Sequence, residues 1–357
     1  MPTLFDPLRV GNMELNNRII MAPMTRSRAN DEGIQPPFAA SYYEQRASAG
    51  LIVSEATNIS AMAKGYVRTP GIYTQDQIES WRPIADSVHA QGGKIFMQLF
   101  HTGRIALPDF LPGQVEPLAP SAVRAQGQNY TDEGMKEFVT PREITRQEIA
   151  LTVRDFARAA GNAIAAGFDG VELHAASGYL VQQFLSTNAN LRSDEYGGSI
   201  ENRATFLFEV LDAMISEVGS ERVGVKFSPR IAFNDIEETD ADAMYPYILE
   251  QLNNRKLAYV HVSDATGEGW HAKLRPVYQG AYFAGAGFTK DSGEALLAEG
   301  HADAIVYGTK ILANPDLPER FRRSAPLNQP DSATFYAPGE HGYIDYPTLE
   351  ETATAAK

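Results

Sequence analysis

The chain contains no cysteine. Disulfides, thiolate zinc sites, iron–sulfur clusters and cysteine nucleophiles are therefore excluded. Positive charge is scarce as well: 31 Lys and Arg stand against 45 Asp and Glu, a formal charge of −14. An acidic surface repels phosphate backbones and anionic lipid headgroups, so neither a nucleic-acid nor a membrane partner is expected. No window is apolar and long enough to span a bilayer. The start, Met1-Pro-Thr-Leu-Phe-Asp-Pro-Leu8, lacks the basic-then-apolar order of a secretory signal, and the expectation is a cytoplasmic protein. Two motifs are missing too. No G-x-G-x-x-G follows an apolar run, which argues against a Rossmann nucleotide unit. The seven histidines never form the His-x-His and strand-end Asp pattern of metal-dependent barrel hydrolases, so no metal is expected.

What is present is a series of short apolar, β-branched runs: Arg18–Ala22, Leu51–Ser54, Lys94–Gln98, Gly170–Leu173, Val223–Phe227, Ala258–Val262, Ala281–Gly285 and Ala304–Tyr307. Continuous apolar runs are how parallel strands read when helices cover both faces of their sheet. Helical spacing lies between most of them, as over Thr152–Ala166 and Asn202–Val218, with Gly167 and Gly219 placed just past the ends for a left-handed cap. Eight strands alternating with helices predict a single-domain (β/α)8 TIM barrel over residues 1–357. The Pro-, Gly- and Gln-rich stretch 104–142 reads as an extended loop after the third strand, and 327–357 as a closing segment.

Barrel enzymes carry their chemistry at the carboxyl ends of the strands. Those ends supply Pro23, Met24 and Thr25; Ala56; Gln98 and Phe100; His174, Ser177 and Tyr179; Lys226; and His261. The seventh and eighth lead into Gly285-Ala-Gly287 and Gly308-Thr309. Glycine turns before helices at these two strands are either tight turns or a phosphate cradle. His174, Ser177 and Tyr179 together can bind a carbonyl, hold an anion and deliver a proton, or they can be packing residues of a strand-to-helix turn. With phosphate at the last two strands, Thr25 and Gln98 would face a heterocycle's carbonyls and ring nitrogens, and Lys226 would set positive charge beside an anionic ring edge. That inventory suits flavin mononucleotide (FMN).

The ordered segments Leu4-Phe-Asp-Pro-Leu8, Asn17-Arg-Ile-Ile-Met-Ala-Pro-Met-Thr25-Arg26, Gln98-Leu-Phe-His-Thr-Gly-Arg104, His174-x-x-x-Gly-Tyr-Leu-x-Gln-Gln-Phe-Leu185, Arg192-Ser-Asp-Glu-Tyr-Gly-Gly-Ser-Ile-Glu-Asn-Arg203, Ala313-Asn-Pro-Asp-Leu-Pro-Glu-Arg320, Thr334-Phe-Tyr336 and Gly342-Tyr-Ile-Asp-Tyr-Pro347 span nearly the whole chain. Together they resemble the Old Yellow Enzyme family of flavin-dependent ene-reductases, in particular bacterial N-ethylmaleimide and nitrate-ester reductases. The resemblance implies FMN as cofactor and NADPH or NADH as reductant. It implies electrophilic alkenes as substrates (enones, enals, maleimides, nitroalkenes) and nitrate esters beside them, on a monomer or homodimer. It assigns Thr25, Gln98 and Lys226 to the flavin ring, with Pro23, Met24, Ala56 and His174 also at the cofactor, and His174 with Ser177 to the substrate carbonyl. Tyr179 becomes the proton donor, and Tyr66, Phe100 and Tyr336 the substrate wall.

Four positions leave the family's pattern. Ser177 stands where the family usually has His or Asn, Lys226 and Thr309 where it usually has Arg, and Phe100 where many members have Trp. The expectations are a shorter reach to the substrate, a point charge without a guanidinium fork, weaker FMN binding and a wider pocket. Two rival readings stand beside it: a Schiff-base barrel lyase with Lys226 as the amine, and a flavin-binding protein with weak turnover. Among the other polar groups, His101 and Arg104 are expected to support the loop after the third strand. The acidic stretch Asn234–Asp240 reads as a solvated face, and His261 as a satisfied core histidine.

Overall fold

The computed structural model describes residues 1–355. Eight parallel strands close on themselves: β1 (Ile19–Met21), β2 (Leu51–Val53), β3 (Ile95–Phe100), β4 (Gly170–Ala175), β5 (Val223–Phe227), β6 (Tyr259–Ser263), β7 (Tyr282–Gly285) and β8 (Ala304–Tyr307). Each pairs with the next, and β8 pairs with β1 to complete the (β/α)8 barrel. All eight expected runs are strands; Val223–Phe227 and Ala304–Tyr307 match at both ends and the other six differ by one or two residues.

Strand residues alternate between two cores. Ile20, Leu51, Val53, Phe96, Tyr259, Phe283, Ala304 and Val306 fill the barrel interior, and the hairpin Leu8–Val10/Met13–Leu15 plugs its amino-terminal end with Val10 and Leu15. The opposite parity packs against the surrounding helices, where Ile52, Met97, Leu173, Val225 and Val260 meet Trp81, Phe156 and Leu207. The plug leaves the carboxyl end as the open mouth.

Helix starts are fixed by side-chain caps. Thr74 and Gln77 form a capping box on Gln75–Ala90, and Thr145 and Glu148 another on Arg146–Ala165; Ser199 caps Ile200–Val218. Each cap satisfies amides that the first turn leaves unpaired, for about 1 kcal/mol. The helix before β4 starts six residues earlier than its apolar spacing announces, because the capping box sits on a solvated first turn.

The stretch 104–142 is more ordered than a loop. It holds three 3-10 turns, a polar hairpin (Gln128–Thr131 with Gly134–Glu137) and a two-residue ladder between Leu118–Ala119 and Arg142–Glu143. The carboxyl-terminal segment is strapped across the mouth by buried arginines. Arg28 donates to the carbonyls of Thr334, Phe335 and His341 at 2.9–3.0 Å, and Arg26 to that of Gly342 at 2.9 Å. Tyr343 stacks flat on Tyr42, with ring centres 4.0 Å apart. Gly342 is required here: its φ is +65° and a Cβ would lie 1.9 Å from Thr334 Oγ1. Among the described residues no helix is long and apolar enough to cross a membrane.

Candidate active site

The end of β4 sets the site. Past His174, Ala175 and Ala176 the chain turns through two left-handed residues, Ser177 (φ +57°) and Gly178 (φ +74°), and Tyr179 caps the short helix Leu180–Leu185. The turn is held on every side. The Ser177 amide donates to Ser228 Oγ and its carbonyl accepts from Asn234 Nδ2, both at 2.8 Å; the Gly178 amide donates to Gln182 Oε1 at 2.9 Å. A Cβ on Gly178 would fall 2.9 Å from the Phe233 carbonyl, so glycine lets the 233–236 loop close on the turn. With its backbone satisfied, Ser177 keeps a half-buried hydroxyl facing the mouth. The same turn brings the His174 and Tyr179 rings edge to face, 4.9 Å apart.

Two adjoining cavities open over the mouth. The inner one, about 320 Å3, is lined by Pro23, Met24, Thr25, Ala56, Gln98, His174, Ser177, Tyr179, Lys226, Thr309 and Tyr336, with Arg26, Phe233, Leu312 and Phe335. The outer one, about 560 Å3, shares Thr25, Tyr179, Phe233 and Tyr336 and adds Tyr66, Arg68 and Tyr130. Residues scattered over more than 300 positions thus face one hollow. Phe100 does not. It is fully buried behind His174 and Tyr179, in a small cluster with Ile105, Leu107 and Phe138 from the 104–142 stretch, so it corrects the expectation of a wall residue.

The electrostatics set Tyr179 and His174 apart. Burial, and then the neighbouring Tyr66, pushes the Tyr179 phenol well above its ordinary value, so it keeps its proton. Its hydroxyl lies 3.0 Å from that of Tyr66, which burial also raises. His174 moves the other way. Burial, with the Lys226 charge added, holds it well below 6.5, leaving a neutral imidazole with one N–H. The Lys226 ammonium is itself lowered by burial, in part offset by Glu172.

These groups fit an FMN ring. His174 Nδ1 is buried without a partner, a condition native structures avoid unless a ligand answers it. Gln98 spends its Nε2 on Glu172 at 2.7 Å, which leaves its carbonyl oxygen to the cavity. Thr25 adds a hydroxyl and Lys226 a cation. At the end of β7, Gly285 is buried, whereas Ala286 and Gly287 are exposed with φ of +93° and +77°, turning backbone outward where an anion can meet it. Gly308 is half-buried and Thr309 exposed at the start of Thr309–Ala313. Of these turns only Thr309 lines the inner cavity; Gly285, Gly287 and Gly308 do not. Among the described residues no group of three His, Asp or Glu is placed to hold a metal.

Three features escape a reading of the sequence. Asn234 to Asp240 is not a solvated face. Asn234 grips the Ser177 carbonyl and reaches the Tyr66 and Tyr179 hydroxyls, and Glu238 is buried against Gln182, Tyr245 and the Arg230 amide. The buried apolar Ile236 within the stretch was the available signal. Glu55, buried under Gln35 and the Arg26 amide, braces the first loop at the mouth. Glu172 is buried in the barrel and bonded to Nδ1 of His261, which is itself a buried core histidine. His101 accepts from the Gly103 amide and Arg104 donates to the Asp235 carbonyl, so both brace loops.

Comparison with known proteins accords with this geometry. A family model described as NADH:flavin oxidoreductase / NADH oxidase matches residues 3–328. A probable flavin mononucleotide-dependent alkene reductase of Leishmania infantum is 45% identical over 358 residues, covering 97% of each chain. 12-oxophytodienoate reductase 1 of Oryza sativa subsp. japonica is 44% identical over 360 residues, 98% of this chain and 93% of that one. The structure of morphinone reductase in complex with tetrahydroNAD superposes with a TM-score of 0.95 at 44% identity, covering 98% of both chains.

Proposed function

The chain belongs to the NADH:flavin oxidoreductase / NADH oxidase family, and from that membership and the mouth of its barrel we propose an FMN-dependent ene-reductase driven by NADPH or NADH. The observation that carries the assignment of residues is the convergence of Thr25, Gln98, His174 and Lys226 on one cavity beside a protonated, buried Tyr179. Pro23, Met24, Thr25, Ala56, Gln98 and Lys226 hold the flavin ring, and Gly285, Gly287, Gly308 and Thr309 its phosphate. FMN, when bound, supplies the hydride that it takes from the nicotinamide.

The chain's own residues do the rest. The His174 N–H and the Ser177 hydroxyl donate to the carbonyl or nitro oxygen of an electrophilic alkene, which draws electron density from the β-carbon. Tyr179 then gives its proton to the α-carbon, and Tyr66, in contact with its hydroxyl, is placed to restore it. Tyr336 and Tyr66 wall the outer cavity. The strap of residues 327–355 and the 233–236 loop cover the mouth and keep water from the reacting atoms. Enones, enals, maleimides and nitroalkenes fit this grip, and nitrate esters present similar oxygens. The reading includes a cytoplasmic location and a monomer or homodimer acting on small molecules, supported by the acid-rich composition.

The test is a titration followed by mixing. The protein should bind FMN, bleach under anaerobic NADPH or NADH, and regain colour faster with cyclohexenone or a maleimide than without. Failure to bind FMN or to bleach defeats the proposal. Bleaching without faster recovery leaves a flavin protein with weak turnover, and borohydride trapping on Lys226 would instead mark a Schiff-base lyase.

A further inference from the structure

Inside the barrel, below the inner cavity, lies a carboxylate that none of the steps above uses. Glu172 sits two residues before His174 on β4, on the same inward face, and is fully buried. One oxygen accepts from Gln98 Nε2 at 2.7 Å. The other accepts from the Tyr259 hydroxyl at 3.0 Å and lies 3.2 Å from His261 Nδ1. The strand register places Gln98 directly beside Glu172, and Lys226 directly beside His174 and His261. Burial alone would raise the Glu172 carboxyl. His261, the Lys226 charge and the Gln98 amide more than offset it and leave it below its ordinary value, hence ionised.

Two consequences follow from chemistry. A carboxylate accepts hydrogen bonds and cannot donate them, so the end of the Gln98 amide that meets Glu172 must be the NH2. The carbonyl end is thereby committed to the cavity. Also, Glu172 is the carboxylate whose field acts on Lys226, so part of the ammonium's charge is cancelled from below. Packing requires neither effect. Val171 and Leu173 flank the position, and a glutamine of the same size would fill the same space without the charge.

We propose that Glu172 is a positioning residue for the flavin: it locks the Gln98 amide with its oxygen toward the ring's pyrimidine edge and partly cancels the Lys226 charge, holding the flavin's reduction potential below what the ammonium alone would set. The inference rests on the FMN reading above. It is tested on holoprotein by fluorescence titration of FMN and by dye-equilibrated potentiometry. Glu172→Gln removes the charge, and the oxidised–reduced equilibrium moves toward reduced flavin about tenfold, equal to about 30 mV for a two-electron couple. Glu172→Asp keeps the charge but draws away from Gln98. Its potential stays near that of the parent protein while FMN binding weakens roughly fivefold, the worth of one ordinary hydrogen bond. In a Gln98→Leu background the same Asp substitution no longer weakens FMN. A Glu172→Gln potential equal to the parent's overturns the inference, as does an Asp variant that weakens FMN equally in both backgrounds. Should Glu172→Gln fail to fold, the Asp pair still decides. A parent protein that takes up no FMN overturns the functional reading itself, whereas normal binding with an unmoved potential overturns this inference alone.

Discussion

Replacing Tyr179 by phenylalanine removes one oxygen from the wall shared by both cavities and leaves the ring, which packs against His174 and Phe100, in place. The lost hydroxyl bonds to a neighbour that is itself half-buried, Tyr66 at 3.0 Å, and lies within reach of Asn234, so folding should lose about 1 kcal/mol. Catalysis should lose more. General acids contribute about 10²- to 10⁴-fold, and here the lower end applies, because the Tyr66 hydroxyl stays near the vacated position and can pass a proton through water. A loss of about 10²-fold corresponds to about 2.7 kcal/mol of barrier. The two half-reactions separate the roles. Anaerobic stopped-flow mixing with NADPH or NADH should bleach the variant at nearly the parent rate, since no protein proton is needed there. Recovery of colour with cyclohexenone should be slowed by about two orders of magnitude. Equal slowing of both half-reactions would refute the proton-donor role and reduce Tyr179 to a packing residue.

Other consequences are open to direct measurement. Ser177→Asn should lower KM for cyclohexenone about fivefold, since the amide reaches further and one added hydrogen bond is worth about 1 kcal/mol; asparagine also tolerates the left-handed φ of +57° at this position. An unchanged KM would mean that Ser177 does not face the substrate oxygen. Thr309→Arg should tighten FMN binding about tenfold through a charge-assisted phosphate contact, read by fluorescence titration. Burial holds His101 and His271 at about 4, against 6.5 when unfolded. Both are neutral in the fold, so stability is complete above pH 6.5 and lost as pH falls toward 4, by about 3 kcal/mol for His101 alone. Thermal melts across that window should fall steeply, and a flat profile would refute the assignment.

The barrel was legible because its strands are buried on both faces and so read as unbroken apolar runs, from Ile19–Met21 to Ala304–Tyr307. Strand ends then pointed to Thr25, Gln98, His174 and Lys226, since a strand's carboxyl end faces the mouth whatever follows it. What covers the mouth was not legible. Phe100 occupies a strand end, but the 104–142 stretch folds over it, and no local pattern says which loop will do so. Asn234 and Glu238 lie in a polar run without periodicity, and only the three-dimensional approach to Ser177 and Gln182 gives them their duties. Glu172 left a clearer trace, a single charge inside the apolar run Val171-Glu172-Leu173. A charge there is costly unless partnered, and that cost alone announces a network.

The central claim is that this mouth reduces electrophilic carbon–carbon double bonds with hydride from a nicotinamide and a proton from Tyr179. Its most direct test is product stoichiometry in one anaerobic vessel containing FMN-loaded protein, NADPH or NADH, and cyclohexenone. The account predicts one cyclohexanone formed for each nicotinamide oxidised, and a rate that collapses with Tyr179→Phe. Nicotinamide oxidised without cyclohexanone, or cyclohexanone formed at an equal rate by the variant, would contradict it.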